Sequence, residues 1–415
     1  MRVSGASRSF AALRHPGFRV FLACSALAMM ADNIEHVISY YVIYQRFHST
    51  ALQGFAVISH WLPYLTLSVY SGALADRLDP RRMIQAGMAL FMLVSACWGL
   101  LFLSGGAQMW QAGVLLVIHG LAGVLWLPAS QVLLYDIVGP VELQSAVRLG
   151  ATARYLGMLG GPGIGGLLLN ALGPVHGIFA NALIYLPMAL WLVSAPYGPR
   201  FRQLARPVRA IKGFSEVFAT LKVVRENPVL LSMTLLAGGA SLFIGNAYQA
   251  QMPGFAADLG HGNMDHAYSM LLAADALGAL TGGIVLESRG FLSARPATAF
   301  RLAMIWCLAL GGFALSRSYA LALGLLVVAG FVELSFSSMA QALVQMNAPD
   351  AIRGRVIGVF AMSSLGMRMW SGVTVGLLGS LIGIHGSLAL AAGAFLMVAA
   401  LLSLWERARE PAPLA

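Results

Sequence analysis

Apolar residues follow one another in long uninterrupted stretches along this chain, with short polar turns between them. A stretch of about 20 to 25 such residues is long enough to cross a bilayer as an α-helix. The two-residue alternation of a membrane β-barrel does not occur in these stretches. The pattern predicts about twelve spanning helices, which lie near residues 18–45, 52–75, 83–104, 109–135, 144–170, 176–194, 229–254, 266–287, 297–316, 319–345, 355–382 and 384–405.

Composition agrees with an all-α membrane protein. The chain is 59% hydrophobic and only 10% charged, whereas soluble domains carry about a quarter charged residues. The net charge of +10 comes from basic residues scattered through short loops, so we expect no nucleic-acid partner. Cys24, Cys97 and Cys307 lie inside apolar runs, which favours neither a disulfide framework nor a metal cluster. We expect no cofactor.

The distribution of Lys and Arg predicts the orientation. These residues gather before span one, after spans two, eight and ten, and after the last span, while the opposite loops offer only Arg46 and Arg317. Because cytoplasmic loops collect positive charge, both termini should lie in the cytoplasm. We expect a multi-pass protein of the cell membrane, in a bacterium the inner membrane.

A basic segment divides the spans into two sets of six. Residues 195–228 are rich in Lys and Arg, and the part from Gly213 to Asn227 shows the spacing of a surface amphipathic helix. The predicted organisation is a six-helix bundle over 1–194, a cytoplasmic linker over 195–228 and a second bundle over 229–415. Two charged turns recur at nearly the same spacing in both halves, which indicates a parallel repeat.

Two motifs carry a resemblance to a known family. The turn Gly72-Ala-Leu-Ala-Asp76-Arg77-Leu-Asp-Pro-Arg81-Arg82 resembles the loop-two signature of the major facilitator superfamily. In span five, Gly157-Met-Leu-Gly-Gly161-Pro162-Gly-Ile-Gly165-Gly166 is similar to the glycine-proline signature of its proton-driven exporters. The nearest branch contains the enterobactin, macrolide and lysophospholipid carriers. The resemblance implies the major facilitator fold, with twelve helices in two bundles and alternating access.

The loop-two turn is a candidate gate. Asp76 can accept charge-assisted hydrogen bonds and meet the positive end of a helix, while the nearby arginines can reach acids such as Asp136. These contacts would latch the outward-facing state, although the arginines could instead only set topology. The second copy keeps Glu287 but has Ser288 where an arginine is expected. The predicted gating residues of this turn and its surroundings are Gly72, Asp76, Arg77, Arg81, Arg82, Asp136 and Glu287.

The span-five motif is a second candidate gating element. Gly157, Gly161 and Gly165 lie one helical turn apart, which lets a neighbouring backbone approach closely, and Pro162 removes a hydrogen bond and bends the helix. Such a helix can seal one end of a cavity. Ordinary close packing is the alternative.

Ionisable residues inside the spans are candidates for substrate and proton binding, because each is costly to bury in a membrane. Asp32, Glu35, His36 and Ser39 share one face of span one, and a carboxylate beside an imidazole can change protonation near neutral pH. Structural pairing of Asp32 with His36, or of either with an arginine, is the alternative. The predicted cavity comprises Asp32, Glu35, His36, Ser39, His119, Arg154, Asn246, Gln249, Asp275, Glu333 and Arg368.

These features favour a proton-coupled exporter of an amphiphilic organic molecule, such as a siderophore or a drug-like compound. A ferroportin-like exporter of divalent transition metals is an alternative, with Asp32 and His36 as ligands. An uptake symporter, a membrane-embedded enzyme and a non-transporting receptor are further alternatives; no oriented nucleophile supports an enzyme. The expected partners are a small-molecule substrate, protons and the lipid bilayer, and the expected state is a monomer.

Overall fold

The computed structural model describes residues 10–47, 50–201, 215–245, 247–259, 264–289, 294–371, 375 and 378–407. Within these residues every regular element is a helix. The helices are α1 Pro16–Phe47, α2 Thr50–Arg77, α3 Pro80–Ser104, α4 Met109–Ile184, α5 Leu186–Ser194, α6 Ser215–Glu226, α7 Pro228–Phe243, α8 Ala247–Ala250, α9 Met252–Leu259, α10 Met264–Arg289, α11 Pro296–Leu315, α12 Tyr319–Asn347, α13 Arg353–Ala361, α14 Arg368–Ser371 and α15 Leu378–Arg407. A π-helical stretch, Met362–Gly366, follows α13.

Two glycines divide the long helix α4. Gly139 (φ 69°) and Gly173 (φ 72°) have non-helical torsions, and a proline follows each of them. Glycine adopts positive φ without a steric penalty, and a proline lacks the N–H that the first turn of a helix leaves unpaired. The first two resulting stretches correspond to the predicted spans four and five, and the third corresponds, together with α5, to span six. Gly383 (φ 82°) also has a non-helical torsion inside α15, although no proline follows it.

Several of these helices have the dimensions of membrane spans. In the part of the chain that the structure describes, seven helices are long and apolar enough to cross a bilayer. The prediction of an all-α membrane protein is therefore confirmed.

The helices group into two compact units. The first comprises Ala11–Val217 and Pro349–Ala361, which places α13 with α1 to α5. The second includes Phe218–Ala348 and the described residues from Met362 to Arg407, with α7 to α12, α14 and α15. The predicted domain boundaries at 195–228 stay a prediction. The segment Pro349–Ala361 belongs by sequence to the predicted second bundle but packs in the first unit.

The span-five glycines bring α4 against α1. A Cβ atom at Gly157 would lie 2.5 Å from the carbonyl oxygen of Ala26, and one at Gly161 would lie 2.4 Å from Cβ of Asn33. These distances are too short for any side chain, so glycine is what permits this approach. Pro162 lies between helical neighbours, and the non-helical torsions inside α4 occur at Gly139 and Gly173 instead.

Candidate functional site

The first unit contains a buried polar cluster, here called the histidine–carboxylate cluster. Its members are Asp32, Glu35 and His36 on α1, His60 on α2, Ser95 on α3 and His119 on α4. The three α1 residues share a face because they follow the i, i+3, i+4 spacing. The glycine stripe of α4 packs against a different face of α1, around Ala26 and Asn33.

His119 lies between two carboxylates. Its Nδ1 is 2.8 Å from Oε1 of Glu35, and its Nε2 is 2.9 Å from Oδ1 of Asp32. Both His119 and Glu35 are almost fully buried, with 3% and 2% of their surface exposed. Ser95 donates its hydroxyl to the other carboxylate oxygen of Glu35, and Asn181 contacts the Ser95 hydroxyl at 3.4 Å.

The position of His119 between two carboxylates determines how many protons the cluster must hold for both contacts to be hydrogen bonds. A neutral imidazole carries one N–H and one lone pair, so it can donate to only one of two carboxylates. Both His119 contacts become hydrogen bonds only when the ring holds a second proton or when Asp32 or Glu35 is itself protonated. The cluster is therefore arranged to hold one proton more than a neutral histidine between two carboxylates.

The same cluster contains a set of donor atoms suited to a metal ion. One ligand atom each from Asp32, His36, His60 and His119 lies within 4.8 Å of the others, and imidazole with carboxylate suits divalent transition metals. Two of these residues are the predicted alternative ligands, Asp32 and His36, whose side chains are 3.9 Å apart. Both ring nitrogens of His119 already contact carboxylates, so a metal would have to displace one of them.

Helical spacing predicted the shared face of Asp32, Glu35 and His36 but not its partners on other helices. His119 belongs to the predicted cavity but was not paired with this face, and His60, Ser95 and Asn181 were not among the predicted site residues. Ser95 lies on α3 and Asn181 on α4, and both are 0% exposed. Their polar character within an apolar run was the available signal.

The alternative pairing of Asp32 with an arginine is not what the structure has, since Asp32 contacts His36 and His119. Ser39 is buried on α1, and Arg154 is partly buried on α4.

The second unit contains another polar group, here called the tyrosine–carboxylate cluster. It comprises Tyr248 and Gln249 on α8, Asp275 on α10 and Glu333 on α12. The Tyr248 hydroxyl oxygen is 3.0 Å from Oδ2 of Asp275 and 3.2 Å from Oε2 of Glu333. Gln249 donates its side-chain amide to Oδ2 of Asp275 at 3.2 Å. These contacts bring three of the predicted cavity residues together.

Two further predicted cavity residues belong to the second half of the chain. Asn246 lies outside the described residues. Arg368 begins α14 and is partly buried.

The loop-two turn contacts the start of a distant helix. Asp76, at the end of α2, accepts hydrogen bonds from the backbone N–H groups of Gly354 and Arg355, the latter at 3.0 Å, and lies 3.5 Å from the Arg355 side chain. A carboxylate at a helix N-terminus is favourable because unpaired N–H groups and the helix dipole meet a negative charge. Gly72 also lies here: a Cβ atom on it would be 2.0 Å from the carbonyl oxygen of Gly354.

Two of the loop-two arginines have other contacts than the predicted ones. Arg81 donates to both carboxylate oxygens of Asp79 and to the carbonyl oxygen of Ala195, and Arg82 donates to Gln85. Arg81 thus reaches an acid, Asp79, and the reach of the loop-two arginines to Asp136 stays a prediction. Asp79 is the N-cap of α3 with Pro80 at the first helical position, so Arg81 lies directly beside its cap.

The Asp79 cap is electrostatically stabilised. Partial burial raises the pKa of Asp79, but the hydrogen bonds from Arg81 and the charges of Arg81 and Arg82 outweigh this and lower the pKa below its usual value.

The remaining predicted gating residues lie elsewhere in the fold. Arg77 and Asp136 are partly buried, and Glu287 is buried near the end of α10.

Apolar helices of spanning length with buried ionisable groups between them are typical of membrane transporters. The chain matches the family model described as transmembrane secretion effector over residues 7–411. It belongs to this family of major facilitator transporters. It is therefore a membrane transporter and not an enzyme, and a small-molecule substrate is implied.

Three curated relatives are similar at low identity. The multidrug efflux pump Tap of Mycolicibacterium fortuitum is 25% identical over 81% of this chain and 82% of its own length. The enterobactin exporter EntS of Shigella boydii serotype 4 (strain Sb227) is 24% identical over 85% and 82%. The uncharacterized MFS-type transporter YfiS of Bacillus subtilis (strain 168) is 25% identical over 53% of this chain, which spans about half (52%) of that relative.

Solved structures share the fold. The human organic anion transporter MFSD10 matches with a TM-score of 0.75 at 14% identity, over 94% of this chain and 99% of its own. A bacterial homologue of the iron transporter ferroportin, in an outward-facing state, matches with a TM-score of 0.68 at 15% identity, over 95% and 100%. At this identity the likeness concerns the fold alone.

Proposed function

We propose that this protein exports an amphiphilic organic molecule across the cell membrane in exchange for protons, by alternating access with both termini in the cytoplasm. The observation that carries the proposal is the position of His119 between Asp32 and Glu35. Export of an organic cargo is supported by the relatives named as a multidrug efflux pump and an enterobactin exporter.

The charge of the histidine–carboxylate cluster couples proton release to a change in its surroundings. With His119 protonated and both acids ionised, the three groups carry a net charge of minus one; loss of the proton leaves two unbalanced carboxylates. A single charge at mid-membrane costs at least about 2.5–3.5 kcal/mol, so proton release requires a compensating change. Opening to water on the cytoplasmic side, or the arrival of a substrate, supplies it. Proton movement is thereby linked to the change of state.

Transport in proteoliposomes with an imposed pH gradient tests this proposal. The probes are enterobactin and an amphiphilic fluorescent dye, and the variants are Asp32→Asn and Glu35→Gln. We expect gradient-driven accumulation in the wild type and its loss in both variants. Glu226→Gln, an exposed residue of α6, is the matched control and should transport normally. Accumulation that ignores the gradient, or that persists in both variants, contradicts proton coupling.

We further propose that Asp76 and the start of α13 form the latch of the outward-facing state. Asp76 holds the N–H groups of Gly354 and Arg355, so its replacement should free them. Hydrogen exchange of the segment Pro349–Ala361 in nanodiscs measures this directly. Asp76→Asn should speed exchange at Gly354 and Arg355, while Asp350→Asn, which alters an exposed partner of Arg353, should leave those amides unchanged. Unaltered protection in Asp76→Asn would argue against the latch.

A divalent transition metal is the second candidate cargo, because the donor atoms of Asp32, His36, His60 and His119 lie close together. Isothermal titration with Fe²⁺, Co²⁺ and Mn²⁺ distinguishes the two. Saturable heat in the wild type, lost in His36→Ala and His60→Ala, would support metal export. No saturable heat would remove this candidate and leave the organic cargo.

A further inference from the structure

The tyrosine–carboxylate cluster brings two acidic side chains onto one hydroxyl group. Asp275 Oδ2 and Glu333 Oε2 lie 3.0 and 3.2 Å from the Tyr248 oxygen, and Gln249 Nε2 approaches the same oxygen at 3.3 Å. We propose that Asp275 and Glu333 share one proton through Tyr248 and so form a second proton-binding site, located in the second unit.

The number of hydrogens available at the Tyr248 oxygen supports a shared proton. A tyrosine hydroxyl has a single hydrogen and can donate to only one carboxylate. The second carboxyl group can bond to the same oxygen only if it brings its own proton and donates it. Two full two-centre hydrogen bonds at this oxygen therefore need one protonated acid, one ionised acid and the neutral phenol between them, whereas one hydrogen shared between two ionised acids would make only a weaker three-centre bond. With both acids ionised, one of them would direct a lone pair at the lone pairs of the hydroxyl oxygen.

Burial of the cluster also favours a protonated acid. Tyr248 is 0% exposed and Asp275 5%, and Oδ1 of Asp275 has no hydrogen-bond partner within the described part of the chain. A second nearby negative charge, away from water, disfavours ionisation of both acids. The hydrogen-bonded distances leave no room between the groups for a metal ion or an organic amine, so the ligand that matches the site is a proton.

The neighbouring helices bring no positive charge into contact with Asp275 among the described residues. From α8 it meets Tyr248 and Gln249, which are uncharged. Helix α9 carries Asp258, which is exposed and bonds to His385. Helix α12 carries Glu333 and, at its start, Tyr319, which bonds to the carbonyl oxygen of Ala267. On α10 itself, Glu287 lies at the far end of the helix.

In transport, this site would supply a second exchangeable proton beside that of the histidine–carboxylate cluster. That use rests on the proposed function, but the shared proton itself does not. An experiment without substrate or gradient therefore separates the two ideas.

Infrared spectroscopy of the full-length protein in lipid nanodiscs tests the shared proton. At neutral pH the wild type should show the C=O stretching band of a protonated carboxylic acid. Glu333→Gln and Asp275→Asn should each lose it, because the remaining acid is then held ionised by the Tyr248 hydroxyl. Asp258→Asn is the matched control and should keep the band. The helical amide band of the same spectra reports whether each variant is folded.

Tyr248→Phe assigns the band without removing either acid. The loss of the bridging hydroxyl should move the frequency of the carboxylic-acid band in a folded protein. Absence of the band from the wild type would overturn the proposal, as would a band that all three variants leave unchanged. An intact, variant-sensitive band combined with transport that ignores the pH gradient would instead overturn proton coupling and retain the shared proton.

Discussion

The two polar clusters hold pairs of acids in different ways. In the first unit an imidazole lies between Asp32 and Glu35; in the second a phenol lies between Asp275 and Glu333. The imidazole can take a proton and become a cation, so both acids beside it can stay ionised. The phenol cannot, so one of its acids must be neutral. The same arrangement of acid, bridge and acid thus stores its proton on the bridge in one unit and on an acid in the other.

The two clusters also differ in the hydrogen bonds that their acids receive from other side chains. Glu35 receives a further hydrogen bond from Ser95, which suits an ionised carboxylate. Asp275 receives one from Gln249 but keeps an oxygen without a partner in the described structure. Removing the bridging side chain should therefore destabilise the protein more at His119 than at Tyr248. Substitutions at the two bridges and at Ser95 measure this difference.

The largest effect is expected from His119→Gln. Glutamine keeps polarity but cannot become a cation, so two buried carboxylates lose their balancing charge. Breaking a buried ion pair costs about 3–5 kcal/mol, and gradient-driven transport should disappear. Denaturant unfolding in mixed micelles and the proteoliposome assay measure the two effects.

His176→Gln, an exposed histidine of α4, is the control for that substitution. The double variant His119→Gln with Asp32→Asn should regain much of the lost stability, because it removes one of the two opposed charges. No recovery in the double variant would show that charge balance is not what His119 provides.

A smaller effect is expected from Tyr248→Phe. The two acids can still share their proton directly after a small shift, so the loss is that of hydrogen bonds to buried acceptors, about 1–3 kcal/mol. Unfolding under the same conditions measures it, with Tyr70→Phe, an exposed tyrosine of α2, as the control. A destabilisation equal to that of His119→Gln would break the comparison, since it would mean that both bridges balance charge.

The sequence predicted one side of the first cluster and not the other. Helical spacing within α1 was sufficient to place Asp32, Glu35 and His36 on one face. Which helix lies opposite depends on tertiary packing, so His119 could not be assigned as their partner. Ser95 and Asn181 were missed because an uncharged polar residue costs less to bury and stands out less in an apolar run.

For the loop-two turn, too, the sequence predicted one side of the contact and not its partner. The Asp76 motif predicted a carboxylate at the end of a helix, and its partner was expected to be some helix N-terminus. That the partner is α13, far along the chain, follows from contacts that the spacing of residues does not contain. At Arg81 the acid that pairs with the guanidinium is the adjacent Asp79, which the motif alone did not single out.

The smallest effect is expected from Ser95→Ala, which sharpens the comparison between the two units. It removes one donor to Glu35 and leaves the His119 bridge in place, so the loss should be about 1 kcal/mol. Ser104→Ala, at the exposed end of the same helix, is the control. Glu35→Gln added to Ser95→Ala tests the reason: if Ser95 serves the ionised acid, its removal should cost less once that charge is gone. An equal cost in both backgrounds would mean that Ser95 stabilises the packing of α3 against α1 and not the charge of Glu35.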